Sequence, residues 1–276
     1  MLDAITGFFT GESFFGASGI TWDYFMRMAT KILLKNPTTG TYKQTWNTVV
    51  SIYNTLNIIA VSLFCLFFIY GFLRDSCDIH YEMTLDRTIK LFIRLIVCSN
   101  VLSLTLTYMP KIITWGRDLT SVIIGENLKT TVFQFDGNAI YERITDSNMG
   151  TLVAFVFGML FFLFICICGF IVVLTVLNRM LKIYMIAPFA GVALSTLAAG
   201  GATSQVGYSY IKTFLGYVFS SLLIAVVLLI APYYIQTFSI DSKYAIIILL
   251  ECCLKIGAVT SAVKLTDNMM TKAFGL

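Results

Sequence analysis

The sequence predicts an all-α, polytopic bundle of transmembrane helices with an amphipathic helix near its N-terminus. Of the 276 residues, 58% are hydrophobic and only 12% are charged, about half the charged share of a soluble domain, which is about 25%. The mean hydropathy is +0.83. Several apolar stretches also reach the length of about 20 residues that a helix needs to cross a bilayer. We therefore expect a protein whose surface largely faces lipid.

Residues 1–51 are predicted to form an amphipathic N-terminal region rather than a span. Apolar side chains recur there at helical spacing, and Arg27 and Lys31 lie away from them. The apolar positions are Trp22, Phe25, Met26, Ala29, Ile32 and Leu33. Such a helix lies in the membrane interface or packs beside a bundle. We interpret it as an anchor, with a role in lining or gating a channel mouth as the alternative.

The predicted bundle occupies residues 52–263 and is followed by a C-terminal tail at 264–276. Its six predicted spans cover residues 52–73, 89–109, 152–177, 183–199, 211–235 and 244–263. A polar loop at 110–150 separates the second span from the third, and a tight turn at 178–182 ends the third. The fourth span is short enough to be re-entrant, but we count it as crossing the bilayer.

The second predicted span carries a polar face made by Asn100, Ser103 and Thr107. Lipid cannot satisfy polar groups at membrane depth, so this face should point toward protein or water. Hydrogen bonding between helices is the favoured interpretation, and pore lining is the alternative.

The sixth predicted span carries two opposite charges near its middle, Glu251 and Lys255. At a spacing of four residues with the acid first, the two side chains can pair along one helix face. We interpret them as a structural ion pair, with a position facing a lumen or a subunit interface as the alternative.

Small residues recur every four positions in the fourth predicted span. They are Ala187, Gly191, Ser195 and Ala199. Small residues on one face let another backbone approach closely, so this stripe is predicted to be a packing face, within the subunit or between the subunits of a homo-oligomer. The turn before it is basic, with Arg179 and Lys182.

The composition argues against several classes of function. The net charge of +4 is too small to indicate a nucleic-acid-binding surface. His80 is the only histidine, and the seven cysteines show no metal-ligand or redox spacing. No phosphate-binding loop or catalytic motif appears. We therefore predict a protein that is not an enzyme and that carries no cofactor.

The order of these features resembles the TrbL-type family of polytopic channel subunits in type IV secretion systems, in the versions carried by conjugative elements of Gram-positive bacteria. The resemblance covers roughly residues 50–236. It is carried by the acidic turn LRDSCDIHYEMTLDRTIKLFIRLI, the very hydrophobic third span, and the Arg-x-x-Lys turn from Arg179 to Lys182. It continues through the Ala-Pro start of the next segment to VGYSYIKTFLGYVFSSLLIAVVLLI.

This resemblance implies a homo-oligomeric subunit of the cytoplasmic (inner) membrane, working with other secretion-system subunits and their ATPases. Its transient cargo would be single-stranded DNA with a bound relaxase, or protein. From the residues alone, a small-solute transporter or membrane substrate-binding subunit is the alternative. A scaffold that only anchors other parts of a machine is a third possibility.

Two indicators of orientation disagree. The distribution of Lys and Arg favours a cytoplasmic N-terminus, which would place residues 110–150 in the cytoplasm. The family resemblance implies instead that this loop lies outside the cytoplasm, and that the bundle has five spans. We expect the loop to lie outside.

Overall fold

The computed structural model describes residues 12–76, 85–127, 137–145, 151–237 and 245–273. Within these ranges the chain is helical and contains no β-strand, which confirms the predicted all-α class. The helices are α1 (Glu12–Leu34), α2 (Lys43–Ser76), α3 (Leu85–Asn127), α4 (Gly137–Thr145), α5 (Thr151–Ile186), α6 (Ala190–Ser195), α7 (Ser204–Thr237) and α8 (Ala245–Ala273). Short 3-10 turns occur at Gly40–Tyr42, Ala187–Phe189, Thr196–Ala199 and Gly201–Thr203.

Five helical segments of the described chain are long and apolar enough to cross a membrane. They are Gly40–Ser76, Thr88–Gly125, Leu152–Ala199, Gly201–Ile235 and Ile246–Thr266. The chain is therefore a multi-pass membrane protein. The sequence predicted six spans, and the difference lies at 183–199, which does not form a span of its own.

The predicted tight turn at 178–182 is wrong, because α5 runs through it without a break. This stretch contains neither Gly nor Pro, and Arg, Met, Leu and Lys are all strong helix formers. At 36 residues, α5 is about 54 Å long, well beyond the roughly 30 Å of bilayer hydrocarbon. It ends at the Ala187–Phe189 turn, where Pro188 removes a backbone donor.

The predicted loop at 110–150 is also wrong over its first part, because α3 continues through Pro110 to Asn127. Ile113 and Ile124 are buried on the added length of helix, and this burial stabilises the continuation. Further along, Gly137–Thr145 forms the short helix α4. Residues 128–136 and 146–150 of the predicted loop lie outside the described chain.

Two other predicted boundaries shift as well. The helix of the first span begins at Lys43, inside the region assigned to the N-terminal segment 1–51. At the other end, α8 extends to Ala273 and takes up most of the predicted tail 264–276.

The chain divides into two compact units. Among the described residues, the first contains 12–35, 118–127, 137–145, 151–178, 221–237 and 245–266, and the second contains 36–76, 85–117, 179–220 and 267–273.

In the first unit, α1 packs along α5 through aromatic side chains. Phe15 lies 5.5 Å from Phe161 between ring centroids, and Tyr141 of α4 lies 6.1 Å from Phe15 on another side. The residues predicted to form the apolar stripe of α1 are buried, apart from the half-buried Phe25. The amphipathic pattern is thus confirmed, and its apolar face meets protein.

In the second unit, α2 and α3 form the core together with the segment that follows α5. The buried cluster consists of Ala60, Phe64, Cys98, Leu102 and Ala198. The Tyr184 hydroxyl adds a polar contact by donating a hydrogen bond of 2.8 Å to the Pro37 carbonyl. These contacts fix the start of α2 relative to the end of α5.

Candidate functional site

Residues 187–203 form a broken segment between the long helices α5 and α7. Two 3-10 turns flank the six-residue helix α6, and a third precedes α7. Irregular backbone at membrane depth is tolerated where it is buried in protein or lines a water-filled cavity. Here the segment packs on α2 within the second unit.

The small-residue stripe lies in this broken segment, and all four of its members are buried. A Cβ atom added to Gly191 would lie 3.1 Å from Ala60 Cβ and 3.3 Å from Asn57 Oδ1. One added to Gly71 of α2 would lie 2.5 Å from the Ala199 carbonyl oxygen. The stripe therefore permits close packing as predicted, but its partner is α2 of the same chain. The packing face is thus confirmed within the chain, and a contact between subunits stays a prediction.

Three charged side chains surround the Gly200–Gly201 turn in a group that we call the arginine clasp: Arg74, Asp75 and Arg94. Arg74 Nη1 donates a hydrogen bond of 3.3 Å to the Gly200 carbonyl, and Arg74 Nη2 lies 2.9 Å from Asp75 Oδ1. Arg94 Nη1 lies 3.6 Å from Asp75 Oδ2. The clasp thus joins the end of α2, the first turns of α3 and the end of the broken segment.

The two glycines are required by this geometry. Gly200 has φ +66° and Gly201 has φ +56°, a region that side chains other than glycine rarely adopt. A Cβ atom on Gly200 would collide with the Arg94 guanidinium, and one on Gly201 would collide with that of Arg74. Sequence reasoning recognised the glycine pair as the end of a segment. It missed the clasp, because nothing in the pattern links residues so far apart in the chain.

Glu251 and Lys255 form the predicted ion pair in α8. Lys255 Nζ lies 2.7 Å from Glu251 Oε1, and the two side chains are 10% and 8% exposed, respectively. Ile256 and Val259 are buried beside them. Pairing along the helix is confirmed, and the burial favours a structural ion pair over a position facing a lumen.

The predicted polar face of α3 points away from the chain. Asn100, Ser103 and Thr107 are all exposed, and Lys111 continues the face four residues further on. Asn100 Nδ2 donates a hydrogen bond of 2.8 Å to the Ile96 carbonyl of its own helix. This bond of Asn100 lies within its own helix, and hydrogen bonding between helices at this face stays a prediction.

A cavity of about 460 Å³ adjoins this polar face between α3 and α7. Its lining is almost entirely apolar and includes Leu104, Tyr108, Leu194 and Phe214. Residues with polar side chains in the lining include Asn100, Thr105 and Tyr210. The Tyr210 hydroxyl already has a partner, because it donates a hydrogen bond of 3.1 Å to the Ile186 carbonyl.

Arg179 and Lys182 lie within α5 and do not form a turn, which corrects the prediction of a basic turn. Arg179 is buried, and its Nε donates a hydrogen bond of 3.1 Å to the Tyr217 carbonyl. Lys182 Nζ lies 5.4 Å from the centre of the Tyr217 ring, a distance suited to a cation–π contact. The two cations hold α5 against α7.

Another ion pair, in α1, joins Arg27 Nε to Asp23 Oδ2 at 2.7 Å. It follows the same spacing of four residues as the pair in α8, but Arg27 is 49% exposed at its side chain. The sequence placed Arg27 and Lys31 on the polar side of α1 and gave no partner for either.

The described parts of the chain contain no group of three or more His, Cys, Asp or Glu side chains that could hold a metal ion. Comparison with known protein families, curated proteins and solved structures finds no match for this chain.

Proposed function

We propose that this chain is a channel or scaffold subunit of a conjugative type IV secretion system in the cytoplasmic membrane. It would act as a homo-oligomer, with other subunits and their ATPases, to help pass single-stranded DNA with its relaxase, or protein cargo, across the bilayer. The observation that carries the proposal is the polar face of α3, which is exposed at membrane depth.

The depth of this face follows from the packing of α3 on α2. Cys98 and Leu102 of α3 lie in one buried cluster with Ala60 and Phe64 of α2. Asn100 is therefore level with the middle of the apolar part of α2. Lipid offers no hydrogen-bonding partner there, so an exposed polar face at this depth favours contact with water or with another protein chain. A ring of such subunits would enclose these faces.

The broken segment supports the same class of function. Interrupted helices are common in channels and transporters, where irregular backbone lies next to the transported species. The family resemblance narrows this class to conjugation, because it covers roughly residues 50–236 and includes the segments on both sides of the break.

The test uses single cysteines in a variant whose seven native cysteines are replaced by serine or alanine. Asn100→Cys and Thr107→Cys should react with a membrane-impermeant thiol reagent in donor cells, and the reaction should reduce DNA transfer to recipients. Ile58→Cys is the matched control, because Ile58 is 74% exposed on α2 but lies on an apolar surface. It should neither react nor affect transfer.

Two results would contradict the proposal. The first is normal DNA transfer after deletion of the gene. The second is that Asn100→Cys and Thr107→Cys are no more reactive than Ile58→Cys.

A small-solute transporter is the second candidate, and the cavity between α3 and α7 favours it. A volume of about 460 Å³ falls within the range of about 300–1,000 Å³ typical of small-molecule sites. Deletion of the gene separates the two candidates. A conjugation subunit should be required for DNA transfer, whereas a solute transporter should be dispensable for it.

A further inference from the structure

Helix α1 packs beside the apolar part of α5 from Phe14 to Phe25, about half of its length. Near its start, the Phe14 ring centroid lies 5.5 Å from that of Phe155 and 6.2 Å from that of Phe162. Further along, Phe25 covers Gly169, whose added Cβ would lie 3.0 Å from Phe25 Cβ. Between Phe14 and Phe25, α1 rises about 16 Å at about 1.5 Å per residue.

This packing places α1 at membrane depth. The contacted part of α5 belongs to its most apolar stretch, which has no charged residue before Arg179. A helix lying in the interface plane would touch α5 at one level only, whereas α1 follows it across about half of the 30 Å or so of hydrocarbon. The sequence did not indicate this, since α1 is too polar to be among the five segments that are apolar enough to span alone.

The outer face of α1 carries charge at the level of the Phe25–Gly169 contact and for about 9 Å beyond it. Tyr24, Arg27 and Lys31 are exposed there at spacings of three and four residues, on the same side as the exposed apolar residues Ile20 and Met28. Long basic side chains near a membrane boundary often extend toward water. Arg27 instead turns back along the helix to Asp23, with Nε 2.7 Å from Oδ2. Asp23 lies close to the level of the Phe25–Gly169 contact, so the pair is held deep in the apolar layer.

We infer that the Tyr24–Arg27–Lys31 face of α1 borders a water-filled path through the membrane and contacts the phosphodiester backbone of the cargo. The assignment of the cargo rests on the function proposed above. Exposed charge at this depth requires water or polar partners, because hydrocarbon provides neither. The face carries two cations against the single carboxylate of Asp23, so its excess charge is positive. Guanidinium and ammonium groups bind phosphate, and an exposed tyrosine offers a surface on which a base can stack.

The path is tested with purified protein in liposomes, again in the background without native cysteines. Tyr24→Cys and Lys31→Cys should react with membrane-impermeant methanethiosulfonate reagents, since a thiol reacts as a thiolate in water. The controls are Leu163→Cys and Ile167→Cys, which are exposed on α5 at the same depth but on its apolar surface. They should remain unmodified.

The charge of the face is tested by comparing an anionic reagent with a cationic one at Tyr24→Cys. The anionic reagent should react faster, by about tenfold or more at low salt. Adding Arg27→Gln and Lys31→Gln should abolish this preference while the thiol remains accessible. The same two substitutions, introduced without cysteine, should reduce DNA transfer by donor cells.

The possible failures are distinct from one another. If Tyr24→Cys and Lys31→Cys react no faster than Leu163→Cys, the face does not border water and the inference is overturned. If both react but the glutamine variants transfer DNA normally, the assignment of the cargo is overturned. The proposed function is tested separately. If DNA transfer is normal after deletion of the gene, the proposed function is wrong, and the labelling result still stands.

The packing itself has an independent check for the case in which a cysteine variant misfolds. Phe14→Cys with Phe155→Cys should form a disulfide under mild oxidation, whereas Phe14→Cys with Ile167→Cys should not. If the first cross-link does not form in properly inserted protein, α1 does not pack beside α5 and the inference is overturned.

Discussion

Lys255 Nζ lies 2.7 Å from Glu251 Oε1 on adjacent turns of α8, with both side chains almost completely buried. Because both side chains are so deeply buried, water cannot take the place of either charged partner when that partner is removed. Replacing Glu251 or Lys255 alone by alanine should therefore destabilise the protein by about 3–5 kcal/mol, the range for breaking a buried ion pair. Replacing both by leucine should be nearly neutral, because no unpaired charge remains. Thermal unfolding of the detergent-purified variants measures these changes.

Lys264→Ala is the control for this series, because Lys264 is exposed on the same helix. It should leave the unfolding temperature almost unchanged. If the effects of Glu251→Ala and Lys255→Ala simply add in the double variant, the two charges do not interact and the assignment of a structural ion pair fails.

Gly191 should not tolerate even one additional methyl group. A Cβ atom there would lie 3.1 Å from Ala60 Cβ, and overpacking of this kind costs about 1–3 kcal/mol. Gly191→Ala should lower the unfolding temperature, and adding Ala60→Gly should restore most of it by removing the opposing methyl group. If Gly191→Ala instead dissociates an oligomer without changing the stability of the subunit, the stripe is an intersubunit contact after all.

Gly200 and Gly201, which the arginine clasp surrounds, should lose more stability on substitution by alanine than a glycine that has positive φ but no close neighbour. Gly40 has φ +63° with nothing within 4 Å of its added Cβ, so Gly40→Ala measures the conformational cost, about 1–2 kcal/mol. Gly201→Ala also collides with the Arg74 guanidinium. Gly200→Ala collides with that of Arg94 and, at φ +66° and ψ −177°, places alanine in a backbone region that is essentially restricted to glycine. Their unfolding temperatures should fall further than that of Gly40→Ala. Equal shifts for all three variants would show that the arginines simply move aside.

The connection between α3 and α5 should lie outside the cytoplasm. The family resemblance favours this orientation, against the distribution of Lys and Arg. Glu142 is exposed on α4, so Glu142→Cys in the background without native cysteines should react with an impermeant thiol reagent in intact cells. If Glu142→Cys reacts only after the cells are lysed, this connection lies in the cytoplasm and the chain has the opposite orientation.

The features that sequence reasoning predicted correctly are local in the chain. The Glu251–Lys255 pair depends on the spacing within one helix, and the buried stripe of α1 depends on helical periodicity. The long apolar stretches likewise indicate spans through their own composition. For such features the sequence carries most of the physical information that decides the outcome.

The features that it missed depend on contacts between distant segments. Arg74 and Arg94 meet Gly200 only because α2, α3 and the broken segment fold together. The turn predicted at 178–182 was inferred from charge, yet Arg179 is satisfied by the Tyr217 carbonyl and the helix continues. A polar residue in an apolar sequence indicates a turn only when no partner elsewhere in the chain can satisfy it.

The packing of α1 on α5 also constrains how the protein is made. The N-terminal helix leaves the ribosome long before Phe155, Phe161 and Gly169 of its partner have been synthesised. Its polar side would be poorly accepted by a translocon that receives one segment at a time. With α1 at its inferred position, we therefore expect the nascent helix to stay at the membrane surface, with its apolar face in the headgroup region, until α5 is inserted. Entry of α1 into the bilayer would then be a late step in biogenesis, and truncation before α5 would leave α1 at the surface.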